Sequence, residues 1–149
     1  MEVGCNMGVQ KGTVVGAPFE RSQCTILVID DDDDLRDFFI GLLKLMGFRS
    51  FLEAKNGMEG IEVYVEHIDE IRLIILDLEM PVMDGAAFFR EFLRINQGRQ
   101  RKAKVLLATG KFDCPVVKRL LEEGLDMAIP KPTDLEIIRK DIRELLGSR

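Results

Sequence analysis

A chain of 149 residues with 46% hydrophobic and 32% charged residues suits one domain with a substantial core. Its formal net charge of −5, with the basic residues dispersed, argues against direct nucleic-acid binding, which needs clustered Lys or Arg. No run approaches the roughly 20 apolar residues that span a bilayer, and the first residues lack the basic start and apolar stretch of a secretory signal. No membrane insertion and a cytoplasmic location are therefore expected.

Residues 1–23 carry Gly4, Gly8, Gly12, Gly16 and Pro18 without apolar periodicity and read as a flexible tail, leaving 24–149 as the folded domain. The first strand is predicted from Thr25 to Asp30, where the unbroken run Ile26-Leu27-Val28-Ile29 suits a strand buried on both faces of a parallel sheet. A helix follows from about Asp34 to Met46, with Leu35, Phe38, Phe39, Leu42, Leu43 and Met46 as its apolar stripe and Gly47 as a left-handed cap. Phe48 to Ala54 is a second strand. Asn56 then offers an N-cap side chain with Glu59 three residues on, and Ile61, Tyr64, Val65 and Ile68 form the stripe of a second helix. Arg72 to Asp77 is the third strand.

After Gly85 a third helix buries Phe88, Phe89, Phe92 and Leu93 and ends before Gln97-Gly98. The basic stretch from Arg99 to Lys104 reads as a solvated connection. Lys104 to Thr109 is the fourth strand, and Pro115 suits the first turn of a fourth helix that buries Val116, Val117, Leu120 and Leu121. Met127 to Ile129 is a short fifth strand. A last helix, from Thr133 or Asp134 to Leu146, places Leu135, Ile138, Ile142 and Leu145 on one face. Alternating strands and helices predict an α/β fold: a (βα)5 three-layer sandwich of flavodoxin-like type, with five parallel strands in the order 2-1-3-4-5.

In open sheets of this kind ligands bind beyond the carboxyl ends of the strands, at the switch point between strands 1 and 3. Those strands end in Asp30-Asp31 and Asp77, while the next two lead to Thr109 and Lys131. The segments ILVIDDDDDLR, LIILDLEMPVMDG, LLATG and IPKP occur in an order and spacing that resembles the receiver domain of two-component response regulators, over about residues 24 to 147. The resemblance implies that Asp77 is the phosphoacceptor and that Asp30 and Asp31 are the acidic pair serving Mg²⁺, for which Mn²⁺ is an acceptable substitute. It also implies the backbone carbonyl of Glu79 as a further metal ligand, with Asp30 acting largely through a water on the metal. Thr109 is then the switch hydroxyl and Lys131 the active-site lysine. Glu79 and Lys111, two residues after Asp77 and Thr109, flank the phosphoryl site and are expected to tune phosphate lifetime.

The residues suit these roles chemically. Mg²⁺ prefers oxygen ligands, usually one or two carboxylates with waters and phosphate, and a cation relieves the repulsion among three neighbouring carboxylates. Pro130 and Pro132 restrict the backbone around Lys131 and admit a cis Lys131–Pro132 bond. Plainer readings exist for other residues. Asp32 to Asp34 suit capping of the first helix, and a calcium loop is excluded because Leu35 and Gly41 stand where that loop needs Gly and Glu. Thr109 also suits a strand end bonded to its own backbone. Cys5, Cys24 and Cys114 read as free thiols, and His67 as a surface residue near a helix end.

Two classes of function follow. One is a phosphorylation-dependent signalling switch that takes a phosphoryl group from a histidine kinase or histidine phosphotransfer protein and turns over no separate substrate. The other is a phosphorylation-independent interaction module of the same fold. A phosphohydrolase is disfavoured, because Asp77-Leu78-Glu79 lacks that group's second aspartate. No output segment follows the last helix, so a stand-alone, chemotaxis-regulator-like receiver is expected, acting through a protein partner or by passing phosphate onward. The resemblance implies the face of helix 4, strand 5 and helix 5 for partners or a homodimer. The chain departs from the family at Ala128, where an aromatic usually stands; a methyl group has no rotamer to switch, so movement is expected in the loop from Gly110 to Cys114 instead.

Overall fold

Apolar runs without alternation require cover on both faces, and the computed structural model, which describes residues 20–131 and 134–147, provides it. The elements run β1 (Thr25–Ile29), α1 (Asp33–Leu45), β2 (Ser50–Ala54), α2 (Gly57–Glu66), β3 (Ile71–Leu76), α3 (Gly85–Ile95), β4 (Lys104–Thr109), α4 (Pro115–Glu122), β5 (Met127–Pro130) and α5 (Leu135–Leu146). All strand pairs are parallel, in the order β2-β1-β3-β4-β5. This is the expected 2-1-3-4-5 flavodoxin-like arrangement. The expected tail through residue 19, Cys5 and the Lys131–Pro132 bond lie outside the described residues. Arg21–Gln23 forms a 3-10 turn, and the Arg21 guanidinium lies 5.6 Å from the centre of the Phe48 ring.

Two cores flank the sheet. Leu27, Ile29, Ile74, Leu76, Val105 and Leu107 face Tyr64, Phe88, Phe89 and Phe92, while Ile26, Val28, Leu73, Ile75 and Leu106 face Phe39, Leu43, Ile138 and Ile142. Each fully buried aromatic or aliphatic side chain contributes on the order of 1.5–3 kcal/mol. The helix starts are fixed by side chains: Asp32 Oδ1 accepts from the Asp34 amide, Asn56 Oδ1 from Glu59, and Asp84 Oδ1 from Ala87. Glu59 in turn accepts from the Lys55 amide, one residue before the N-cap. Gly47, at φ 101°, turns the chain out of α1 as expected.

Several stripe residues lie outside the core. Phe38, Val65, Val116, Leu121 and Leu135 are exposed. In α2 the reason is close approach: its buried positions are Gly57, Gly60 and Tyr64, and a Cβ on Gly60 would stand 2.6 Å from Ile29 Cδ1. The helix meets the sheet through its glycine face, which rotates Val65 outward. The buried face of α1 runs through Arg36, Phe39, Leu42 and Leu43 and that of α4 through Val117 and Leu120, so Phe38, Val116 and Leu121, each next in sequence to a buried position, turn outward, while Leu135 is the first residue of α5, ahead of its buried Ile138 and Ile142.

Candidate functional site

β1 and β3 are adjacent at the centre of the sheet, and each runs directly into an aspartate. The Asp77 amide donates to the Ile29 carbonyl at 2.9 Å and the Asp30 amide to the Ala54 carbonyl at 3.1 Å, so backbone pairing continues to the residues that carry the carboxylates. Asp30 is buried, Asp77 half-buried and Asp31 exposed, and one carboxylate oxygen from each lies within 4.8 Å of the others. Among the described residues no other group of carboxylate, His or Cys side chains comes together in this way. The hard oxygen donor set fits Mg²⁺.

Lys131 lies across this cluster. Its Nζ is 3.0 Å from Asp30 Oδ2 and 3.2 Å from Asp77 Oδ1. Burial disfavours the ammonium, but the hydrogen bond to Asp30 and the charges of Asp77 and Asp30 outweigh it and hold the Lys131 pKa above its usual value. Asp77 shifts upward as well. Burial raises its pKa most, the Lys131 charge opposes that, and the Asp30 carboxylate adds to the rise. The two shifts agree physically, because Asp30 attracts Lys131 and repels Asp77.

The surroundings fix these groups in place. Asp30 Oδ1 accepts from the Asp32 amide at 2.9 Å. Gly85 opens α3 with its amide donating to Leu78 O at 2.7 Å, and a Cβ there would lie 2.3 Å from the Asp77 carbonyl oxygen. Only a glycine allows α3 to start this close to the Asp77 peptide. Between them, Met83 N donates to Pro81 O at 2.7 Å around Val82, whose φ is 70°. A β-branched residue at positive φ is strained.

Arg36 is a supporting residue that the sequence reading passed over. It is a buried cation on α1, with Nη1 donating to Asp30 O at 2.6 Å and Nε to Glu53 Oε1 at 2.9 Å, and Nη2 pairing with Asp33. It therefore ties the end of β1 to β2 and α1 beneath the acidic cluster. The signal was present in the spacing: Arg36, Phe39 and Leu43 fall on one helix face, and a cation on a core-facing stripe needs partners.

Thr109 is buried, and its Oγ1 accepts from the Lys111 amide at 3.0 Å, while its carbonyl accepts from Lys131 N at 2.9 Å. Glu79 and Lys111 pair at 2.7 Å, and the Glu79 hydrogen bond and charge raise the Lys111 pKa. Ala128 is half-buried on β5, paired with Leu107 and packed against the core on the α2 to α4 side. The structure thus brings Asp30, Asp31, Asp77 and Lys131 together at one edge.

The family model for the response regulator receiver domain matches residues 26–143. The chain belongs to the response regulator receiver domain family. Among curated relatives of this receiver domain, the chemotaxis protein CheY of Bacillus subtilis is 27% identical over 82% of the chain and 97% of its own length. A cyclic di-GMP phosphodiesterase of Thermotoga maritima is 32% identical over 84% of the chain, and the receiver domain spans only 32% of that relative. The crystal structure of a response regulator receiver domain protein from Clostridium thermocellum superposes with a TM-score of 0.74 at 26% identity, covering 83% of the chain and 94% of the other. No helix among the described residues is long and apolar enough to cross a membrane.

Proposed function

We propose that this receiver domain is a phosphorylation-dependent signalling switch that accepts a phosphoryl group from a histidine kinase or histidine phosphotransfer protein onto Asp77. The observation that carries this reading is the Lys131 ammonium bridging Asp30 and Asp77 beside Asp31. Asp30, Asp31, Asp77 and the Glu79 backbone carbonyl would hold Mg²⁺. Once bound, the ion neutralises the carboxylates and draws charge from the phosphoryl oxygens.

The chain's own groups carry the rest. Lys131 holds Asp77 Oδ1, which leaves Oδ2 to attack phosphorus in line with the phosphohistidine nitrogen. The O–P bond forms as the P–N bond breaks, and the imidazole leaves with the electron pair and takes a proton from solvent. Lys131 then turns its charge onto the phosphoryl oxygens, and the Thr109 hydroxyl, which accepts from Lys111 N, still has its own proton to donate to the phosphoryl group. Hydrolysis reverses the attachment, with water attacking phosphorus and the Asp77 carboxylate leaving. Exposed Val116, Leu121, Leu135 and Ile137 on α4 and α5 support that side as the partner surface.

The test is intact mass after incubation with a small-molecule phosphodonor and Mg²⁺. One phosphoryl increment is expected, stable in acid and labile in base as a carboxylic–phosphoric anhydride requires, and strongly slowed by a chelator. A chain that takes no label from any donor or kinase would move the function to phosphorylation-independent binding.

Glu79 and Lys111, two residues after Asp77 and Thr109, form an exposed bridge whose expected role is to tune water access to the phosphoryl group. Glu79→Ala and Lys111→Ala are each expected to change the dephosphorylation rate severalfold while leaving the urea midpoint of unfolding in place, since both side chains are exposed. Equal phosphate lifetimes in parent and both variants would remove the bridge from this role.

A further inference from the structure

At the amino ends of the strands, about 20 Å along β3 from Asp77 at 3.3 Å per residue, lies a second polar site. A cavity of about 150 Å³ opens there, lined by Ile68 and Ile71 and by Arg72, Arg99, Arg101 and Lys102, with Asp69 as its single acid. Arg99 Nη2 pairs with Asp69 Oδ1 at 2.9 Å. Among the described residues Arg72, Arg101 and Lys102 have no carboxylate partner. Four cations against one carboxylate stand out on a chain of net charge −5.

Two features fix the walls of the cavity. Thr25 pairs with Ile71 and Ile26 with Leu73, so Arg72 is the extra residue of a β-bulge. A bulge re-aims a side chain; here Ile71 and Leu73 face opposite cores although they are two residues apart, and Arg72 lines the cavity. The loop that carries Arg99 is braced as well. Buried Tyr64 donates to Asn96 Oδ1 at 2.9 Å, Asn96 Nδ2 to Phe92 O at 2.8 Å, and Arg99 N to Asn96 O at 2.9 Å.

We infer that this cavity binds the diphosphate group of a small ligand. Guanidinium forks match phosphate oxygens in paired hydrogen bonds, and the excess of positive charge needs an anion of more than one charge to balance it. The site is separate from the phosphoacceptor and does not depend on the proposed switch.

The probe is inorganic pyrophosphate, titrated into the full chain at low ionic strength without Mg²⁺, with amide NMR shifts as readout. Saturable shifts are expected at residues 68–72 and 99–103. Arg72→Leu and Lys102→Ala should each weaken binding about tenfold, the usual effect of losing one charge-assisted contact. Asp69→Asn should tighten it, because Arg99 is then released to the ligand. Shifts confined to residues around Asp30 and Lys131, no saturation, or unchanged affinity in both weakening variants would overturn the site.

Discussion

Asp77→Asn is expected to take no phosphoryl label under any donor and, at neutral pH without Mg²⁺, to unfold at a higher urea concentration than the parent. The first result follows from losing the nucleophilic oxygen. The second follows from the sign of the Asp77 shift. Its pKa in the folded chain is raised, chiefly by burial and then by Asp30 against the opposition of Lys131. The folded state therefore holds that proton more tightly than the unfolded state, and stability falls as pH rises through the folded pKa. Below the ordinary carboxylate range parent and variant should unfold alike, and the gap should open as Asp77 ionises. Mg²⁺ held as proposed would favour the parent's folded state, so saturation should close the gap. A gap that is constant with pH, or an Asn variant weaker at neutral pH, would refute the electrostatic account, whereas a labelled Asn variant would refute Asp77 as acceptor.

Arg36→Ala is expected to cost about 2–4 kcal/mol, from a buried carbonyl left without its donor and from the lost packing of the arginine stem. With Asp30 O released, the carboxylate above it loses its fixed position, and Mg²⁺ affinity should fall about 10-fold or more, as for other residues that orient metal ligands. Arg36→Met separates the two effects. It keeps most of the stem and should recover much of the stability while leaving the metal affinity low. Full recovery of Mg²⁺ binding in the Met variant would reduce Arg36 to a packing residue.

The sheet was legible in the sequence because unbroken apolar runs and turn residues are local signals. The register of β4, Lys104–Thr109, matches its predicted span, and the other strands differ by one or two residues at their ends, where pairing with a neighbour decides the boundary. Where the candidate residues meet was legible for the same reason, since Asp30, Asp77 and Lys131 follow, and Thr109 ends, strands whose order topology dictates. What could not be read is what depends on distance between elements. Val65 is apolar and at helical spacing, yet Gly60 against Ile29 decides which face of α2 is covered. Arg36 looks like a surface cation until Glu53 and the Asp30 carbonyl are placed beside it. The basic stretch after Arg99 likewise gains a cavity only when the bulge in β3 adds Arg72.

The bond from the Lys131 amide to the Thr109 carbonyl, at 2.9 Å, joins the ends of β4 and β5 at the point where each leaves the sheet. The hydroxyl and the ammonium are thus carried on one stiff crosspiece instead of two independent arms. The bond extends the β4–β5 ladder, whose last pair is Thr109 with Pro130, by one step to the residue that carries the ammonium. In a chain with alanine at 128, this crosspiece supplies a backbone linkage between the two strands that does not depend on a rotating ring.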